Sequence, residues 1–373
     1  MSTVNVTSIE NRSSGAPVFS QGLNVGGVDI KTLVAVTEYH TGGTEPSSAS
    51  NGAIWWDGTV VRQYINAGWI TLSGSFPTPF GDRGLVAGGN NSSVDIRQFT
   101  IPTASNATDF GDLTTNRQNA SGCSSGSRGL FGAGLNSSNQ ALQSIDYVTI
   151  STAGNAADFG DLLSARGIPL ACASTVRGVF AGGYDGSAQP WDVIQYVTIA
   201  STGNATDFGD LSVAVAQGYG CSNGSRGVFC GGSNNVGPDY ASNVMQYITI
   251  DTTGNATDFG DLLSAQREGA ACSNDTRAVI AGGISGLGSG RTNVIQYITV
   301  ATTGNATDFG DLISANNVMS AVANSTRAVF SGGNSGGSTQ DMSYVTIATT
   351  GNATDFGDML NSKTNMDGAC SGD

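Results

Sequence analysis

The sequence predicts an all-β protein: a six-bladed β-propeller closed by its C-terminal strand, with a small β-module in front of it. Three observations predict this. The stretch "GNATDFGDL" starts at Gly203, Gly254 and Gly304, with near copies at Ser105, Gly154 and Gly351. An Arg opens an apolar run at Arg83, Arg128, Arg177, Arg226, Arg277 and Arg327. Gly is 54 of 373 residues and charged residues only 12%, so Ser, Thr, Asn and Gln must cover a surface broken by many turns.

The first Asp of "DFGD" falls at Asp109, Asp158, Asp207, Asp258, Asp308 and Asp355, and the next repeat Arg follows 19 residues later in all five cases. An aromatic (Tyr147, Tyr196, Tyr247, Tyr297, Tyr344, and Phe99 in the first copy) precedes that Asp by 11 residues, or by 10 for Phe99. Between the apolar run and the aromatic the spacing varies. From the second small-residue Gly to the aromatic lie 9, 12, 12, 14, 13 and 10 residues. Length variation therefore collects in one loop per repeat, where it disturbs no packing.

Each repeat reads as four strands, as in "PLACAS", "RGVFAGG", "VIQYVTI" and "NATDFGDL" of the third copy. Four antiparallel strands recurring at about 50 residues predict propeller blades, with "GNATDFGDL" as the outer strand and its entering turn. Cys123, Cys172, Cys221 and Cys272 sit five residues before the repeat Arg on the innermost strand, and Val322 takes that place in the sixth copy. Before Arg83 the prolines of "FPTPFGD" argue against a strand. The C-terminal "ACSGD" around Cys370 matches "ACSND" around Cys272, so the chain end is expected to supply the missing inner strand of the first blade.

From residue 83 to about 371 this order resembles the kelch repeat: a polar Arg segment, an apolar strand ending in Gly-Gly, a Tyr strand, then a fourth strand. Phe or Leu of "DFGDL" stands where kelch repeats carry Trp, so the likeness is one of architecture.

Residues 1–80 lack the repeat and are expected to form a domain apart from the propeller at 81–373. "GAIWWD", "VVRQYI" and "WITL" read as a β-meander around Trp55, Trp56, Tyr64 and Trp69. The "PSSASNGAIWWDG" segment followed by "YINAGW" resembles the N-terminal regions of bacteriophage tail-fibre and other virion structural proteins. Repeats of the "YVTIATTGNATDFGDL" kind also resemble those of phage structural proteins, marine ones in particular. The resemblance implies a virion location, contact with other virion proteins through the N-terminal region, an outward propeller and a trimeric fibre.

Asp and Glu number 29 against 15 Lys and Arg, a net charge of −14, which repels phosphate backbones and excludes nucleic acid as the partner. No apolar run approaches the ~20 residues of a membrane helix, and "MSTVNVTSIENRSS" lacks the apolar core of a signal peptide.

Little in the sequence points to catalysis. His40 is the sole histidine, in the polar stretch "TEYHTGGTEPSS", without a neighbouring nucleophile signal. No CxxC pair marks a zinc site, and no cofactor motif occurs. The reading for the "DFGD" carboxylates is that they cap turns or pair with the repeat Arg, with Ca²⁺ binding as the alternative. Cys230 stands outside the repeat and either joins Cys221 in a disulfide or remains a core thiol. Glu268 is the only Glu after residue 80. One carboxylate without a partner is weak support for a glycosidase.

The variable loops are expected on one rim of the disc, together with Arg117, Arg166 and Arg267. There Tyr184, Trp191 and Tyr240 offer apolar faces, and Asp185, Asp239 and Arg291 offer hydrogen bonds. Such a surface suits a host-surface glycan or protein. The function expected is a non-enzymatic virion protein of tail-fibre type that recognises the host through these loops. The alternative is a capsid or tail decoration protein with a purely structural role.

Overall fold

The computed structural model describes residues 81–90, 93–185, 189–234, 240–285 and 290–364 in full, and elsewhere the backbone of the strands named below. The chain divides into two units, Met1–Phe76 and Pro77–Asp373. In the first, Ile54–Trp56, Val61–Ile65 and Gly68–Leu72 form the antiparallel meander that the sequence suggests. A further strand, Tyr39–Thr41, joins Ile54–Trp56 in parallel, so His40 lies on a strand rather than in a loop. The aromatic cluster expected on this meander lies outside the described side chains.

The second unit is a six-bladed β-propeller. Its blades run from axis to perimeter in sequence order, as in Leu170–Ala173, Arg177–Ala181, Val193–Thr198 and Thr206–Asp210 of the third. The first blade takes its inner strand from the chain end: Met366–Gly372 pairs antiparallel with Arg83–Gly88, Cys370 opposite Leu85. The innermost strands contact one another around the axis, and the C-terminal strand completes the circle between the sixth and second blades. This is the closure expected from "ACSGD".

The core is divided among the blade interfaces. Between the second and third blades, for example, Cys123, Leu130, Ile145 and Phe159 meet Ala171, Phe180, Val197 and Ile199. Equivalent clusters fill the other five junctions. Cys123 and Cys172 of the inner strands point across such junctions. A Cβ at Gly178 would sit 3.0 Å from the Cys123 sulfur, and one at Gly227 only 2.4 Å from that of Cys172. Five cysteines are buried free thiols, Cys221 and Cys230 among them. Cys221 opposes Val228 and Cys230 opposes Tyr219, so the two thiols are diagonal neighbours, and the contact with Cys221 together with burial pushes the Cys230 thiol up.

The repeated residues hold neighbouring blades together. Each repeat Arg reaches past its own blade to the carbonyl that ends the Tyr strand of the next: Arg83 to Ile150, Arg128 to Ile199, Arg177 to Ile250, Arg226 to Val300, Arg277 to Ile347 and Arg327 back to Ile101, at 2.8–3.5 Å. Five of these guanidinium groups also lie 4.2–4.5 Å over the Tyr ring of their own blade. That ring in turn meets the "DFGD" Phe edge to face at 5.9–6.0 Å. The expected Arg–Asp pairing is therefore corrected: among the described residues no ion pair joins a repeat Arg to a "DFGD" carboxylate. The first Asp faces solvent because the bulge turns Phe inward.

A second fastening explains the rest of the motif. The Asn of each "GNATDFGD" accepts, through Oδ1, the backbone N–H of the second "DFGD" Asp in the preceding blade, as Asn155 does from Asp112, at 3.0–3.1 Å around the ring. The intervening Gly is required. Gly111 has φ +153°, and a Cβ there would lie 2.3 Å from the Gly154 carbonyl oxygen of the next blade.

The first copy departs in register. Gln98, not Phe99, occupies the Tyr place opposite Leu85, and Phe99 packs opposite Gly84 against Phe356 of the sixth blade. Counted from Gln98, the spacing to Asp109 is 11 as in every other copy. Arg83 consequently has no Tyr ring beneath it.

Two outcomes are expected. Arg226→Ala loses two hydrogen bonds to carbonyls and a ring contact, and should lower stability in denaturant unfolding by about 2–3 kcal/mol. Arg83→Ala, which loses one bond and no Tyr contact, should cost less. Burial pushes the Cys123 thiol from 9.0 up to about 12. The folded state thus keeps a proton that the unfolded chain releases. Its contribution is complete below pH 9 and is lost as pH rises toward 12. Unfolding followed against pH should show stability falling above pH 9 less steeply in Cys123→Val than in the wild type.

Candidate functional site

At the entry to each inner strand the chain arrives from the perimeter and must reverse beside the axis. In blades two to six one residue each does so with left-handed backbone: Asn119, Ile168, Gln217, Glu268 and Val318, at φ 51–59°. These residues are linked in series around the axis. The N–H of Ile168 donates to the Asn119 carbonyl, Gln217 to Ile168, Glu268 to Gln217 and Val318 to Glu268, at 2.6–3.2 Å. Asn tolerates this backbone, whereas a β-branched Ile or Val does so only under strain. Nothing in the local residue pattern signals it at Ile168 and Val318.

The ring of turns forms the lip of an axial funnel of about 380 Å³. Below the lip its wall is made of small residues, Gly122, Ala171, Gly220, Ala271 and Ala321. A Cβ at Gly220 would come within 2.0 Å of the Ala171 carbonyl oxygen, so the inner strands approach as closely as backbone permits. Asn119, Gln217 and Glu268 put polar side chains at the lip.

Glu268 is the most engaged of them. Its Oε1 accepts from Gln217 Nε2 at 3.1 Å and from Arg267 at 2.9 Å, and its Oε2 accepts from Asn317 Nδ2 at 2.9 Å. Arg291 Nε donates to Asn317 Oδ1 at 2.9 Å and extends the network outward. Three residues thus hold one carboxylate directly, and a fourth, Arg291, holds it through Asn317.

The variable loops open on this same face. Each begins by pairing with the residue just before a lip residue: Leu135 with Gln118, Tyr184 with Gly167, Ser233 with Ala216, Ile284 with Arg267 and Asn334 with Asn317. Trp191 is stacked on Arg166 at 3.8 Å, and Tyr184 is half-buried beside it. Asp185 is exposed, and its charge opposes the burial that lowers the Arg166 pKa. Tyr240 is 52% exposed and has φ 54°. Arg291 belongs to the Glu268 network, and Asp239 lies outside the described residues.

The three arginines expected together on this rim have different surroundings. Arg117 is fully buried and bonds to four carbonyls and to Asp146, itself fully buried, at 3.0 Å. Asp146 stands where Gln195, Gln246 and Gln296 accept a backbone N–H from the preceding blade. It accepts the equivalent bond from Thr114, and Arg117 neutralises the charge that Gln would not carry. Arg166 is covered by Trp191. Only Arg267 reaches the lip.

Chemically, the face can donate and accept hydrogen bonds and present aromatic surface. Among the described residues no three His, Cys, Asp or Glu side chains converge as a metal site. Burial raises the Cys123, Cys172 and Cys272 pKa values, so these thiols are protonated at neutral pH.

A closed six-bladed β-propeller with a polar axial funnel is the class of protein that these features define. No family model matches the chain, and no curated protein matches it. The solved structure of YjhT is similar, with a TM-score of 0.60 over 75% of this chain and 98% of that one, at 12% identity. At that identity the likeness is one of fold.

Strain at the lip is measurable. Val318→Asn places at that position the residue type that blade two carries at Asn119, and should raise stability in denaturant unfolding by about 1 kcal/mol. Unchanged or lower stability would mean that the valine contacts outweigh the strain.

Proposed function

We propose that this protein is a non-enzymatic virion protein of tail-fibre type, and that the funnel face of its propeller recognises the host surface. The observation that carries this reading is the distribution of variation over the blades. The fastenings that join blades are repeated nearly unchanged, while variation in length collects in the loops around the funnel. A surface free to vary on a scaffold held constant suits recognition of a changing partner. The N-terminal region, resembling those of phage structural proteins, would attach the propeller to the particle. A trimeric assembly belongs to the same reading.

A second reading, structural decoration of the capsid or tail, is favoured by one observation. Leu163, Leu263 and Leu360 on the outer strands, and Ile313 just after one, stand 50–62% exposed. Apolar side chains at equivalent perimeter positions suit contact with neighbouring virion subunits.

Imaging of virions labelled with an antibody fragment raised against the propeller separates the two. Label confined to the tail or its fibres is the expected result. Label spread over the head would replace host recognition with decoration.

A further inference from the structure

The funnel lip carries a charge pattern that hinge loops and packing do not need. Arg267 opposes Ile284, which opposes Arg291, so three adjacent short segments place both arginines in one row, roughly 10 Å apart. Glu268 lies beside Arg267 and Asn317 beside Arg291, so each guanidinium is held by a hydrogen-bonding partner. One carboxylate serves this row: Arg267 pairs with it directly and Arg291 reaches it only through Asn317. Neither arginine has a second acidic partner among the described residues, and the buried Nε of Arg267 has no acceptor. In a chain of net charge −14, this is a local excess of positive charge beside a cavity.

We propose that the funnel binds a carboxylate-bearing sugar, a uronate-type unit of a surface glycan. This rests on the reading of the funnel face as a recognition surface and names its ligand class. The sugar carboxylate pairs with Arg291 and Arg267, whose planar N–H groups match its geometry. Ring hydroxyls bond to Glu268, Gln217 and Asn119 at the lip, which together supply acceptors and donors. A cavity of about 380 Å³ holds one such ring. The Glu268 carboxylate has a positioning role, because it orients Arg267 and discourages a bare anion from entering without hydroxyl groups.

The test uses the full chain and four probes: glucuronate, glucose, acetate and inorganic phosphate. Glucuronate and glucose share a ring and differ at the carboxylate. Saturation-transfer NMR titrations should show glucuronate binding tighter than glucose by about tenfold or more, the scale of a charge-assisted hydrogen bond. Arg291→Gln should remove that preference, while its unchanged melting curve shows an intact fold. Arg267→Gln should weaken glucuronate in the same direction, and added salt should weaken glucuronate but not glucose.

Equal binding of glucuronate and glucose, or binding of neither, overturns the proposal. Binding of acetate or phosphate as tight as that of glucuronate also overturns it, since an anion site without sugar recognition would remain. The parent reading fails separately. Label on the head would remove host recognition even if glucuronate bound, and tail label without glucuronate binding would leave recognition to the outer loops.

Discussion

A twisted four-stranded sheet has two faces to cover, and in a ring each face can be covered only by a neighbouring blade. Everything else in this protein follows from that constraint. Six junctions must bury equivalent apolar surfaces and must also satisfy the backbone groups that those surfaces enclose. The repeat Arg and the repeat Asn meet the second demand. The Arg occupies a carbonyl at the end of the next blade's Tyr strand, and the Asn occupies an amide on the outer strand of the preceding blade. Both fastenings run in a consistent direction around the ring, so no blade is stabilised alone. Six copies of "GNATDFGDL" are six copies of one interface.

The exceptions to the repeat have physical compensation. Where Asp146 replaces the buried Gln, Arg117 supplies the opposing charge. In the first blade Arg97 takes that same place, opposite Val86, and cannot accept the backbone N–H that Gln or Asp would. It pairs instead with Asp95, near which Lys363 also lies at 3.6 Å, and burial lowers the Arg97 pKa. This departure falls at the seam where the first blade meets the strand supplied by the C-terminus. The seam is thus the junction least like the others, and the one that depends on a strand supplied from the far end of the sequence.

Constancy of the interfaces leaves one face free. Chain returning from the perimeter reverses at the axis through left-handed residues, and the variable loops pair with the residues just before them. Loops, lip and funnel are therefore mechanically joined, and a change in loop length alters what surrounds the lip without altering the blade junctions. The proposed recognition role draws on this separation between a fixed scaffold and a variable face.

Blade number, strand order and closure by "ACSGD" were legible in the sequence, because spacing along the chain is itself the signal of a repeat. The constant 11-residue interval also contained the first blade's register, once Gln98 rather than Phe99 was taken as its origin. The rim was only partly legible: sequence placed Arg117, Arg166 and Arg267 together, whereas one is buried on Asp146, one lies under Trp191 and one stands at the lip. What only the tertiary structure decided is which partner each repeated residue takes. Arg83 finds its acceptor 67 residues away and Arg226 finds one 75 residues away, both in the next blade. An Arg and an Asp that recur together suggest an ion pair when read along the chain. Ring geometry instead directs the Arg to a buried carbonyl and leaves the first Asp in water, where its charge needs no partner.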